Sequence, residues 1–293
     1  MLMAEPIKIQ LDDIYRPITE EQIRSAKSYV LRRESTARGI ASLVDALLAD
    51  AAEKIVQICY RYNVDPRTFQ ISARFNEDMF KEVAAVLDEL EDDILDLLAD
   101  YCTRCTKDKK KRSNLLLWVL TLGKGGNALK ATVEDRIKMF VKDIEAMIVA
   151  AKVAKFDLTK AITLIKSHLF NAYLMPGMQQ AFKNASLFNA QYIRSRGVKK
   201  GNIGSSNSEA NNIDRMVKTT VQMAWMRYIW QEYEEQNAAG FMCLRGSTYP
   251  CSICDDVCYK FYPINSKMPL PVHPNCQCYA IPIFEKDINE LTE

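Results

Sequence analysis

The chain has 293 residues, 48% of them hydrophobic and 26% charged, with 39 basic against 37 acidic residues and a formal net charge of +2. This composition suits one large domain or two ordinary ones, each able to bury a core. The near balance of charge gives no support for attraction to nucleic acid or an acidic membrane through net charge, while leaving room for a local basic patch.

The first residues, MLMAEPIKIQLDDIYRP, are interrupted by Glu5, Lys8, Asp12 and Asp13 and do not read as a secretory signal. The longest apolar run, LLLWVL at 115–120, falls far short of the roughly 20 residues of a membrane span. No membrane association is therefore expected, and folding is expected in a reducing cytoplasm. In that setting nine cysteines serve better as thiols or metal ligands than as disulfides, and the odd count argues against a fully paired framework.

Proline is the main clue to organisation. Between Pro66 and Pro250 the chain has only Pro176, whereas Pro250, Pro263, Pro269, Pro271, Pro274 and Pro282 crowd the end. The long middle is free to be helical and the tail is not. Apolar residues step at three and four through Ile40, Leu43, Val44, Leu47, Leu48, Ala51, Ile55 and Ile58. They do so again through Met79, Val83, Val86, Leu90, Ile94, Leu97 and Tyr101, then Val133, Ile137, Phe140, Val141, Ile144, Met147 and Ile148, then Leu158, Ile162, Ile165 and Leu169. Each stripe must be covered by another, which predicts a helical bundle.

Breaks are expected at a basic connector, CTKDKKKRSN (105–114), at LGKGGN (122–127), and at a Gly/Ser-rich loop, RSRGVKKGNIGSSNSEA (194–210). A last helix over about 208–238, rich in Trp225, Tyr228, Trp230 and Tyr233, is expected to end at Gly240. Beyond it, GFMCLRG, YKFYPI and CQCYAIPIF suit short strands. The predicted fold class is mainly α: a helical region over 1–205, followed by a small α+β Cys/His-rich C-terminal module over 206–293.

So short and proline-rich a tail needs a staple. Structural zinc takes four tetrahedral Cys and His ligands, often as two close pairs. Cys251 and Cys254 form a CxxC pair, and His273, Cys276 and Cys278 offer the second. Five candidates compete for four positions. Cys251, Cys254, His273 and Cys276 are the favoured set, with Cys278 as substitute. Cys243 and Cys258 lie near but break the spacing and are read as core or loop thiols. The plain alternative is a set of buried thiols beside a structural histidine.

Other motifs carry less. PCSIC resembles half of the zinc-deaminase signature, but that chemistry needs an upstream HxE, and His168 is followed by Leu169 and Phe170. No orienting group can be named for a Cys–His nucleophile pair using His273. GKGG at 123–126 lacks the phosphate-loop pattern and reads as a turn. Cys102 and Cys105 stand without a partner pair and read as structural thiols, and His168 as a core or boundary residue. KDKKKR (107–112), Lys199 and Lys200 are most simply solvated, although such residues can contact phosphates. The aromatic run Trp225–Tyr233 reads as packing surface, part of which could dock a partner protein.

Gly240, Cys251-Ser-Ile-Cys254 and His273-Pro-Asn-Cys276-Gln-Cys278 follow one another after a helix and a short strand. This tail, over roughly 213–284, resembles the C-terminal part of phage Mu F-like minor head proteins, also called phage head morphogenesis proteins. It departs from their pattern at Lys218-Thr219-Thr220, where relatives often carry Arg-Thr-Glu, and at Cys243-Leu244-Arg245, where they often carry a tryptophan. The resemblance implies a non-enzymatic virion component, made in the host cytoplasm and placed inside the head near the portal. It implies portal, scaffold or major capsid protein as partners, with packaged DNA as a further contact. Some relatives carry a toxin domain after the motif, for which the residues beyond Cys278 leave no room. The alternative from a different class is a zinc-stabilised nucleic-acid-binding protein using KDKKKR and the Gly/Ser loop.

Overall fold

The computed structural model describes residues 7–8, 20–71, 76–121, 129–170, 208–246, 251–266, 269–272 and 276–285. Its elements in chain order are strand β1 (Ile7–Lys8), helices α1 (Glu20–Arg61), α2 (Glu77–Thr103), α3 (Lys109–Leu120), α4 (Leu129–Val153), α5 (Leu158–His168) and α6 (Glu209–Glu235), strand β2 (Gly240–Leu244), the one-turn helix α7 (Ser252–Asp255), and strands β3 (Lys260–Pro263) and β4 (Tyr279–Ile283). The fold is mainly α, with a small antiparallel sheet at the C-terminal end. Glycine breaks expected at 122–127 and Lys199 and Lys200 lie outside the described residues, as does all but the end of the loop expected over 194–210.

The chain divides into two compact units. One comprises Ala41–Leu97 and Thr121–Arg215. Its core follows the helical periodicities: Val44, Leu48, Ile55, Val83, Ile94, Ile137, Phe140, Ile144 and Ile165 are all buried. Leu43 and Leu158 are exceptions, 43% and 38% exposed on the outer faces of α1 and α5. Local capping fixes the shorter pieces. Asp157 accepts a hydrogen bond from the Lys160 N–H at 2.8 Å and starts α5. Asp143 Oδ2 accepts from the Glu209 N–H at 2.8 Å at the start of α6. His168 ends α5 half-buried, a boundary residue.

The second unit comprises Met1–Ile40, Leu98–Leu120 and Met216–Glu293. The expected basic connector is largely helical: α3 begins at Lys109, inside the charged run. Asp108 is the reason. Its Oδ1 accepts from the N–H groups of Lys110 and Lys111 at 2.8 and 3.0 Å, which caps the helix. Those same bonds hold its carboxyl below the usual carboxylate range. Cys102 and Cys105 are buried near the end of α2, and burial pushes the Cys105 thiol up to about 12.

α6 stops earlier than Gly240. Asn237 adopts φ 57°, and the Ala238 N–H returns to the Tyr233 carbonyl at 3.0 Å, closing the helix with a left-handed residue. Gly240 serves a different need: a Cβ there would stand 2.3 Å from the Tyr262 carbonyl oxygen and 2.5 Å from the Phe261 ring. β2 thus enters the sheet too close to β3 for any side chain.

The sheet order is β1-β3-β2-β4, with every pairing antiparallel. All five residues of β2 are buried, so both faces of the sheet are covered. The two-residue period of a strand sorts them. Phe241 and Cys243 face a cluster containing Trp230, Tyr233, Tyr262 and the tail cysteines. Met242 and Leu244 face Val30, Phe261, Tyr279, Ile281 and Ile283. Trp230 meets Phe241 edge-on at 4.1 Å between ring centroids, and Phe241 stacks on Tyr262 at 5.3 Å. Trp225, Trp230 and Tyr233 are all buried, so these aromatics pack within the fold and offer no exposed stripe for docking.

Phe241→Ala is expected to cost about 3–5 kcal/mol, read by urea unfolding of the full chain. Leu117→Ala, at a side chain 66% exposed, is expected to stay within about 0.5 kcal/mol.

Candidate metal centre

Two pieces of chain converge beside β2. Cys254 comes from α7, and Cys276 and Cys278 come from the segment leading into β4. Their sulfurs all lie within 4.8 Å of one another, and all three residues are buried. Among the described residues no other trio of Cys, His, Asp or Glu converges in this way. Four sulfurs bound to tetrahedral zinc at about 2.3 Å stand roughly 3.8 Å apart. The observed spacing therefore needs little contraction to hold such an ion.

The backbone explains the convergence. Gly246 lies against Gln277, where a Cβ would stand 1.9 Å from the Gln277 carbonyl oxygen. This close passage sets the strand exit of β2 against the Cys-Gln-Cys turn. Main-chain N–H groups then point at sulfur. The Gly246 N–H donates to the Cys278 thiol, and those of Val272 and Cys278 donate to the Cys276 thiol. Such donors stabilise negative charge on sulfur, as a thiolate ligand requires.

The thiols also contact one another. Cys278 is the hub, hydrogen-bonded to Cys254, Cys276 and Cys258, while Cys251 reaches Cys254. Burial first, and then these sulfur contacts, push the Cys254 thiol well up. The contact with Cys278, followed by burial, raises Cys276. The contact with Cys258 raises Cys278. Burial raises Cys243 beneath the group, with Cys278 and Cys276 adding to it. Several buried acidic groups in one place oppose each other's ionisation, and a bound cation inverts that relation.

Of the five ligands expected from sequence, three meet directly: Cys254, Cys276 and Cys278. Cys251 is half-buried at the start of α7 and joins through Cys254. His273 lies outside the described residues. Cys278 occupies the centre of the group, not the reserve position that spacing assigned to it. Cys258, read as a loop thiol, touches the hub.

One contributor leaves no trace in any motif. Arg33 on α1 is fully buried, and its Nη2 donates to the carbonyls of Cys276 at 2.8 Å and Cys278 at 3.4 Å. Its Nη1 lies 3.0 Å from the Met226 sulfur. The neighbouring Glu34 carboxylate accepts from Arg33 at 3.2 Å and from Gln222 Nε2 at 2.8 Å. A rigid guanidinium fork thus holds both ends of the Cys-Gln-Cys turn from behind. Tyr233 assists by donating its hydroxyl to the Ala280 carbonyl at 2.9 Å. Sequence periodicity places Arg33 on a helix but contains no signal that this arginine points inward.

No family model, curated protein or solved structure matches this chain. The site's reading therefore rests on its own geometry, which shows a buried cysteine cluster able to hold a metal ion.

Removing one partner of a buried ion pair strands the other. Arg33→Met is expected to destabilise the protein by about 3–5 kcal/mol. Adding Glu34→Gln to the same chain is expected to recover part of that loss. Urea unfolding of wild type and both variants at equal metal content checks this; a loss under about 1 kcal/mol in Arg33→Met would mean that the guanidinium does not organise the turn.

Proposed function

We propose that this protein is a minor capsid protein of phage head morphogenesis, a structural adaptor inside the head or at its portal, with a zinc ion stapling its tail. The observation that carries this reading is the meeting of Cys254, Cys276 and Cys278, donors drawn from both halves of the CxxC…HPNCQC pattern that resembles Mu F-like head proteins. The donor set fits the ion: buried thiols, close together, with backbone N–H groups aimed at two of the sulfurs. Cys254, Cys276 and Cys278 would hold zinc and leave one position of the tetrahedron for a further Cys or His. Zinc in such a closed site supplies folding energy and no reaction chemistry.

A structural role also accounts for what surrounds the site. Cys276 and Cys278 are buried, and the carbonyls of their turn are turned inward onto Arg33. The bound ion fixes β2, β3 and β4 as a surface, and the long helices supply contact area for portal, scaffold or major capsid protein. No helix among the described residues is long and apolar enough to cross a membrane.

The nucleic-acid alternative has one local feature in its favour. Lys107, Lys109 and Lys110 are exposed before and at the start of α3. Lys111 of the same run is instead engaged with Glu232 and Glu235 of α6, at 2.5 and 2.6 Å. The basic run is thus partly neutralised within the fold, which favours the adaptor reading.

Mass spectrometry of purified DNA-filled particles is expected to find this chain at low copy number, well below the major capsid protein. Purified protein is expected to bind portal with little salt dependence and to bind duplex DNA weakly. Absence from particles, together with DNA affinity falling steeply as salt rises, would overturn the assignment in favour of a nucleic-acid-binding protein.

A further inference from the structure

Cys258 lies outside both pairs that make up the recognisable pattern, four residues past Cys254 and two before β3. It is 3% exposed, and its thiol contacts that of Cys278. It stands just outside the trio whose sulfurs all lie within 4.8 Å of one another, so an ion would have to draw it in. Cys251, the partner that CxxC spacing would choose, is only half-buried and reaches the cluster at its edge, through Cys254.

The backbone around Cys258 is built to hold it there. Its N–H donates to the Cys254 carbonyl at 2.8 Å, so the two cysteines sit one helical turn apart. That turn is stopped by Tyr259, which adopts φ 61° and donates its N–H to the Cys243 carbonyl at 2.7 Å. A positive φ at an aromatic residue is strained, and such strain persists only where the surrounding structure enforces it. Here the strained residue directly follows a thiol and turns the chain from the α7 turn into β3. The C-x3-C separation of Cys254 and Cys258 also lies within the range that zinc pairs use.

The charge around the group agrees. Arg245 donates to the Cys251 carbonyl at 3.0 Å and pairs with Asp255 at 2.7 Å. From there its guanidinium acts electrostatically on three sulfurs: Cys278, Cys254 and Cys258. A zinc ion bound by four thiolates leaves a net charge of −2, and a cation beside them offsets part of it.

Building on the metal reading above, we propose that Cys258 is the fourth ligand. The centre is then an all-thiolate site of Cys254, Cys258, Cys276 and Cys278, selective for a soft divalent ion. Cys251 contacts Cys254 from outside this ligand set.

The test uses full-length protein loaded anaerobically with Co²⁺, whose sulfur-to-metal charge-transfer absorbance grows with each thiolate bound. Cys258→Ser is expected to lose about a quarter of that absorbance, one ligand in four, and to bind cobalt at least about tenfold more weakly. Cys251→Ser and His273→Ala are expected to keep the full band. A second measurement avoids any folding defect of the variant. Wild type loaded with ¹¹³Cd is expected to show cadmium–proton correlations to the β-protons of Cys254, Cys258, Cys276 and Cys278. Correlations to Cys251 or His273 in place of Cys258 would overturn this ligand set and leave the metal centre standing. Protein that takes up neither cobalt nor cadmium would overturn the metal centre itself.

Discussion

The fold of the C-terminal tail depends on one turn, Cys276-Gln277-Cys278, being gripped from two sides. On one side its sulfurs meet Cys254 and take N–H donors from Gly246 and Val272. On the other, its carbonyls receive the buried guanidinium of Arg33. Strands of two to five residues cannot supply this order by themselves, since an isolated short sheet is marginal in water. The turn is what brings β4 against β2 in the register Met242 to Ile281. That register in turn puts Phe241 and Cys243 on the thiol side and Met242 and Leu244 on the α1 side.

Much of this was legible in the residues. The helical stripes appear as α1, α2, α4 and α5, because three-and-four spacing buried against a neighbour allows little else. The short strands after Gly240 were visible as aromatic and β-branched pieces between prolines. The pairing of the two cysteine motifs was visible from ligand spacing, and three of the five expected donors meet.

What spacing did not reveal depends on contacts distant along the chain. Arg33 lies 243 residues from Cys276, and no local pattern marks an arginine whose hydrogen bonds end on backbone carbonyls. The α3 helix was obscured by its own charge: a Lys/Arg run reads as a connector until Asp108 is recognised as its cap. Asn237, not Gly240, ends α6, because asparagine tolerates the left-handed conformation that the stop requires. Cys258 was passed over because Tyr259, an improbable residue for a positive φ, gives no warning of the turn that brings Cys258 to the cluster.

The buried charge beside the site gives the tail a specific tie to α1. Arg33, Glu34 and Gln222 form a polar set in which each hydrogen bond constrains the next. Buried polar sets of this kind can specify one arrangement more than they add stability.

The central claim is that a metal ion orders the tail. Its most direct measurement is elemental analysis of full-length protein purified without added metal, paired with hydrogen exchange of residues 240–283 before and after chelation. One zinc per chain, with protection of β2, β3 and β4 lost when the zinc is removed, is the predicted result. Metal-free protein whose tail is equally protected with and without chelator would contradict the account.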